Sequence, residues 1–135
     1  MPALTQDRDT LKKDGKIFGL PVAATTKLFA GGIGCRNATG YVVPGSTSTT
    51  LKALGRINEQ VDNSAGADGD LMVEIERGLF RFANSAAADE ITKADIGNDC
   101  YIVDDQTVAK TDGTATRSVA GKVRDVDSLG VWVEL

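Results

Sequence analysis

A strict two-residue alternation constrains this chain more than any other feature. Residues 71–76, LMVEIE, set Leu71, Val73 and Ile75 against Met72, Glu74 and Glu76. After Gly78, residues 79–83, LFRFA, set Phe80 and Phe82 against Arg81. Strand side chains alternate between two faces, whereas a helix repeats roughly every 3.6 residues. The pattern therefore predicts half-buried antiparallel strands, one face on a core and one facing water.

The same punctuation recurs along the chain. VAATTKLF, residues 22–29, predicts a strand with Val22, Ala24, Thr26 and Leu28 on one face, broken by the glycines of AGGIG at 30–34. Tyr41-Val42-Val43 predicts a short strand stopped by Pro44-Gly45, and STSTT at 46–50 a polar loop or exposed edge. In LKALGRINEQV, residues 51–61, Gly55 weighs against the competing helix by about 1 kcal/mol relative to Ala, so a bulged strand is favoured. DNSAGADGD at 62–70 is a turn-forming loop. Thr92 can cap one helical turn, Lys93-Ala94-Asp95-Ile96, stopped by Gly97.

Tyr101-Ile102-Val103 and Thr107-Val108-Ala109 predict two further strands, and the loop 110–116 turns at Asp112-Gly113. At the C-terminus, residues 117–126 place Val119, Gly121 and Val123 opposite Lys122 and Arg124. Asp127-Ser128-Leu129-Gly130 turns the chain, and Val131, Val133 and Leu135 return with Trp132 and Glu134 facing the other way. Short strands with turns every ten residues or so predict an all-β fold, a small β-barrel or β-sandwich with at most one short helical turn. The expected organisation is an extended N-terminal arm over residues 1–19 and one β-domain over 20–135. At 135 residues, such a domain can bury roughly two-thirds of its unfolded surface.

Composition narrows the chemistry. The chain has no His, which removes the usual general base, the commonest metal ligand and histidine-dependent nucleophilic catalysis. Two Cys with carboxylates match known zinc patterns poorly. Cys35 and Cys100 are expected as reduced, buried thiols of a cytoplasmic product, although one long-range disulfide is compatible with the sequence. The 62–70 loop misses the EF-hand pattern, with Ala67 at its sixth place and Val73 at its twelfth. The glycines at 30–34 lack the rest of a phosphate loop, and Asn37-Ala38-Thr39 is a glycosylation sequon without a visible export signal.

Asp68/Asp70, Asp104-Asp105 and Asp125/Asp127 are the acidic pairs that could serve acid–base chemistry on a sugar, but each falls in a turn, where carboxylates bond local backbone in water. The aromatic share, 5%, supplies no stacking platform for a carbohydrate or a single strand. No catalytic residue, cofactor or metal site is assigned, and the chain reads as a non-enzyme.

Charge is segregated. Residues 1–36 carry six basic and three acidic side chains, and residues 62–112 carry four basic and twelve acidic. An acidic body is a poor nucleic-acid binder. No apolar stretch reaches the roughly 18–20 residues that span a bilayer, so no membrane partner is expected. A basic leader beside an acidic body suits docking against other proteins. Leu4, Leu11, Ile17 and Phe18 are spaced along the leader as anchors of an arm would be, and Trp132 is a candidate anchor at a subunit interface. Identical copies could close a symmetric ring to hide edge strands.

One resemblance sharpens this reading. Ala53-Leu54-Gly55-Arg56, then Asp99-Cys100-Tyr101-Ile102-Val103-Asp104-Asp105-Gln106-Thr107-Val108, then Ala120-Gly121-Lys122-Val123 and Asp127-Ser128-Leu129-Gly130-Val131-Trp132-Val133-Glu134-Leu135 follow one another in the order seen in capsid cement, or head decoration, proteins of tailed bacteriophages. The chain resembles that family over roughly residues 20–135. The resemblance implies a virion structural protein, made in the host bacterial cytoplasm, that binds the capsid exterior. It would join neighbouring major capsid protein subunits as a homo-oligomer, with a trimer favoured and a dimer the alternative. In that setting Arg8, Lys12, Lys13 and Lys16 would contact shell carboxylates. The competing readings are a phage tail or baseplate structural protein and a carbohydrate-binding β-module.

Overall fold

The computed structural model describes residues 3–11 and 15–135. Twelve strands follow in chain order: β1 (Ile17–Pro21), β2 (Thr26–Leu28), β3 (Ile33–Arg36), β4 (Val42–Pro44), β5 (Lys52–Ile57), β6 (Val61–Asn63), β7 (Met72–Glu76), β8 (Leu79–Asn84), β9 (Asp99–Ile102), β10 (Thr107–Ala109), β11 (Val119–Asp127) and β12 (Gly130–Glu134). The only helical pieces among the described residues are two 3-10 turns, Ala87–Asp89 and Lys93–Asp95. The fold is all-β, and it contains a barrel.

Strands β10-β8-β12-β11-β9 close that barrel. Its neighbours are antiparallel except at the closing seam, where β10 runs parallel to β8. Closure leaves the barrel without a free edge. A second sheet, β1-β7-β5-β3-β4, stays open, and the β2–β6 ribbon lies apart from both in the hydrogen-bond ladder.

Alternation along these strands fills two apolar cores. One gathers Phe82, Cys100, Ile102, Val108, Val123, Val131 and Val133 from the barrel with Ile33 and Cys35 from β3. The other joins Val22, Leu28, Val42, Ile57, Val61, Val73 and Ile75. Open sheet and barrel are also tied by polar contacts. Ile33 N–H donates to the Asp105 carbonyl at 2.8 Å, and Leu135 N–H donates to the Gly78 carbonyl at 2.9 Å. The Ser118 hydroxyl donates to the Ser48 carbonyl at 2.6 Å. Within the open sheet, Gly34 faces Gly55 across β3 and β5. A methyl group at Gly34 would stand 2.8 Å from Ile75 Cδ1, and one at Gly55 would collide with the Glu76 carbonyl, so close packing of β7 requires both glycines.

Several local expectations change. The strand expected over 22–29 survives only as β2, because the chain turns at Thr25, whose φ is +51°. Asp68 Oδ1 holds that turn by accepting from Ala24 N–H at 2.7 Å, and the Asn63 amide donates to the Ala23 carbonyl at 2.9 Å. Val61–Asn63, read partly as loop, pairs with β2. In β11, register shifts at Val119/Gly121 and at Val123/Asp125 overturn the simple alternation: Ala120, Val123 and Val126 point inward and Val119 is exposed. The turn at Lys93–Asp95 forms as expected, with Thr92 N–H donating to Asp95 Oδ2 at 2.8 Å. The turn at Ala87–Asp89 is additional.

Candidate functional site

The leader joins the sheet earlier than its composition suggests. Residues 3–11 are exposed and belong to no strand, with Leu4 at 73% and Leu11 at 89% accessibility. Arg8 lies in this segment and is exposed, whereas Lys12 and Lys13 lie outside the described residues. Lys16 sits just before β1, and its carbonyl accepts from Arg77 N–H at 2.7 Å. From Ile17 onward the chain is strand, three residues ahead of the boundary drawn from sequence.

Strand β1 is the terminal strand of the open sheet and pairs antiparallel with β7, placing Ile17 opposite Glu76, Gly19 opposite Glu74 and Pro21 opposite Met72. The bonds at Lys16–Arg77 and Val22–Leu71, the latter 2.9 Å, fix which residues turn their peptide groups toward β7. In an antiparallel ladder these are alternate residues, here Lys16, Phe18, Leu20 and Val22. Ile17, Gly19 and Pro21 therefore direct their backbone groups away from β7. At its end that side meets β4, where Val42 forms a parallel bridge to Val22 and Ala23 N–H donates to the Val42 carbonyl at 3.0 Å; among the described residues only its start, Ile17 to Gly19, has no strand beside it. The opposite edge of the same sheet is treated differently. Strand β4 ends in Pro44, which has no N–H.

Beside the open edge runs an apolar groove of about 390 Å³, lined by Phe18, Leu20, Ala53, Leu54, Ile75, Arg77 and Leu135. On the other face of the sheet, Ile17 and Met72 are 45% and 56% exposed. Cations and anions separate along the strand. Lys16 and Arg77 mark its start. At its end Gly69 N–H donates to the Val22 carbonyl at 2.9 Å, bringing the exposed Asp68 and Asp70 alongside.

Trp132 stands elsewhere, on the barrel strand β12. It is half-buried, and its indole N–H donates to Asp127 Oδ2 at 3.0 Å. The Arg81 guanidinium lies 5.7 Å from the ring centre and 3.9 Å from the same carboxylate. Asp127 Oδ1 accepts from Leu129 N–H at 2.8 Å and Gly130 N–H at 3.0 Å, closing the β11–β12 turn. The indole bond, then these backbone bonds, hold the Asp127 carboxyl below its ordinary range. Trp132 thus belongs to a network on the barrel wall, on a different sheet from β1, which Lys16 precedes.

Two acidic pairs, Asp68/Asp70 and Asp104-Asp105, lie in turns, whereas Asp125 and Asp127, expected in a turn, belong to β11, with Asp125 at its bulge and 3.6 Å from Lys93 Nζ. Asp70 Oδ2 accepts from Ala67 N–H, Asp104 Oδ1 from Gln106 N–H and Asp125 Oδ1 from Val126 N–H, at 2.9, 2.9 and 2.8 Å. Cys35 and Cys100 are free, buried thiols, and burial pushes both up to about 12, which keeps them protonated and unreactive near neutrality. Among the described residues, no three His, Cys, Asp or Glu side chains gather as a metal site. The composition did not single out the β1 edge, although IFGLP carries its signal: a short apolar run with Gly at the centre and Pro at the end.

Comparisons with family models, with curated proteins and with solved structures each find no match.

Proposed function

We propose that this chain is a structural protein of a tailed-phage virion that binds the outside of the capsid and cements neighbouring major capsid protein subunits, without catalysing a reaction. The observation that supports the reading is the open start of the β1 edge, Ile17 to Gly19, with the exposed leader ahead of it. Such an edge offers main-chain bonds to another protein, and the flanking apolar side chains supply burial. The order of the strand motifs adds the resemblance: Ala53-Leu54-Gly55-Arg56 lies in β5, Asp99–Ile102 is β9 and Gly130–Glu134 is β12.

In this reading the chain acts as a homo-oligomer. Its leader lies against the shell, and Arg8, Lys12, Lys13 and Lys16 meet shell carboxylates. Charge contacts of this kind speed and orient docking, while the apolar anchors Leu4 and Leu11 add burial. The test is addition of the purified chain to heads that lack it, with occupancy measured on sedimented particles. The full chain binds to saturation, and deletion of residues 1–16 lowers occupancy. Unchanged occupancy refutes the arm, and failure of the full chain to bind refutes the cement function.

A further inference from the structure

We propose that the apolar groove at one end of the open sheet receives the opposite, acidic end of a second copy of this chain, so that copies join end to end in one direction. The contact supplies an interface for the homo-oligomer named above and rests on that reading only for the oligomer's place in the virion. It is tested without capsids, so its failure leaves capsid binding standing.

Strand direction gathers three cations at one end of the open sheet. Strands β5 and β7 run antiparallel with Arg56 opposite Glu76, so Lys52 and Arg77 both lie beyond that pair in the same direction. Arg36 stands directly opposite Lys52 across β3 and β5. Like charges so placed destabilise a sheet. All three cations are exposed, and among the described residues none of them forms an ion pair. The neighbouring Glu76 is already held by Arg56 at 3.1 Å. The groove opens here: Phe18, Leu20, Leu54 and Arg77 line it, and Lys52 is two residues from Leu54. An apolar centre with a charged rim is the anatomy of a protein interface.

The other end of the same sheet carries the complement. Asp70 and Leu71 lead into β7, and Glu59 follows β5. Asp68 is drawn alongside by Gly69 N–H on the Val22 carbonyl. Glu59, Asp68 and Asp70 are exposed, and among the described residues they enter no ion pair. Leu71 beside them is 42% exposed. An exposed leucine flanked by carboxylates matches a groove rimmed by cations in both polarity and charge. It also gives the opposed Arg36 and Lys52 the counter-charge that their own copy withholds. Strand β5 alone spans about 17 Å, so one copy cannot bring its two ends together. A contact between unlike patches is heterologous: every dimer keeps a free groove and a free acidic end, and growth stops when the copies close a ring.

The experiment measures mass in solution and maps the contact on the full chain with a zero-length carbodiimide, which couples amines to carboxylates. The wild-type chain should exceed a dimer in mass. Coupling should join Lys52 to Asp68 or Asp70, a linkage that only two copies can make. Lys52→Glu reverses one rim charge and gives Arg36 a partner, so it should raise the thermal midpoint by about 1–4 °C while leaving a monomer. Asp68→Asn with Asp70→Asn keeps the side-chain oxygens that accept from Ala24 and Ala67 N–H, and should also give a monomer. An equimolar mixture of the two variants should sediment as a pair and no larger, because it holds one intact groove for one intact acidic end. A wild-type monomer or dimer overturns the proposal. So does an assembly that survives Lys52→Glu, a mixture that stays monomeric or regains the wild-type mass, or coupling at Lys52 that avoids Asp68 and Asp70.

Discussion

The closed barrel and the open sheet solve the same problem in opposite ways. Both are built from short alternating strands, and both bury a complete apolar face. The barrel pairs every strand on both sides, and its outer wall carries ion pairs such as Lys122–Asp99 at 2.8 Å and Arg124–Glu134 at 3.2 Å. The open sheet protects one edge with Pro44, bridges the end of the other through Val22 and Val42, and leaves the start of β1, Ile17 to Gly19, with no strand beside it among the described residues. Edge strands are normally blunted, and the open start of β1 beside a fully closed barrel is the feature on which the proposed cementing role rests. The barrel supplies the rigid platform.

The largest effect expected from breaking this contrast is in the barrel. Ile102 is fully buried there, and Ile102→Ala should cost about 2–5 kcal/mol in denaturant unfolding. Ile17→Ala at the open edge should change stability by only about 0.5 kcal/mol. Equal losses at the two positions would erase the distinction.

A middle-sized effect belongs to Asn63, buried at the end of β6 in the β2–β6 ribbon. Its amide donates to the Ala23 and Ala67 carbonyls at 2.9 and 3.0 Å. Asn63→Ala should cost about 1–3 kcal/mol. It should also speed hydrogen exchange in residues 22–28 before the barrel is affected.

The smallest effects come from pH, and their signs differ. Asp89 is held below its ordinary range first by the Thr111 hydroxyl, with Arg117 assisting, Asp95 by Thr92 N–H and Asp127 by the Trp132 indole. Their contribution is complete above the ordinary aspartate value, about 3.9, and is lost as pH falls through the depressed values. The buried thiols act oppositely. Raised to about 12, they favour the folded chain below the ordinary thiol value and lose that contribution as pH rises toward about 12. Thermal midpoints against pH should fall at both extremes, and Cys35→Ser should change only the alkaline arm of the curve's shape.

How much was legible in the sequence follows the same division. Strict alternation at 71–83 and the Asp127-to-Gly130 turn identified β7, β8 and the β11–β12 hairpin, because periodicity and turn chemistry are local. The parallel seam between β8 and β10 was not legible, since it depends on closure across more than twenty residues. The inward turn of Ala120 in place of Val119 was hidden by bulges whose positions are set by β9 and β12. The turn at Ala87–Asp89 rests on distant partners, Thr111 and Arg117, which bond Asp89 at 2.6 and 3.2 Å. At the candidate site, charge and anchor spacing marked the leader, but the β1 edge emerged only once its register with β7 was fixed.

The most direct test of the cement function compares phage heads with and without this chain under heating, following DNA release. Heads carrying the full chain should rupture at a higher temperature than bare heads, with the gain lost when residues 1–16 are deleted. Equal rupture temperatures for bare and fully occupied heads would contradict it.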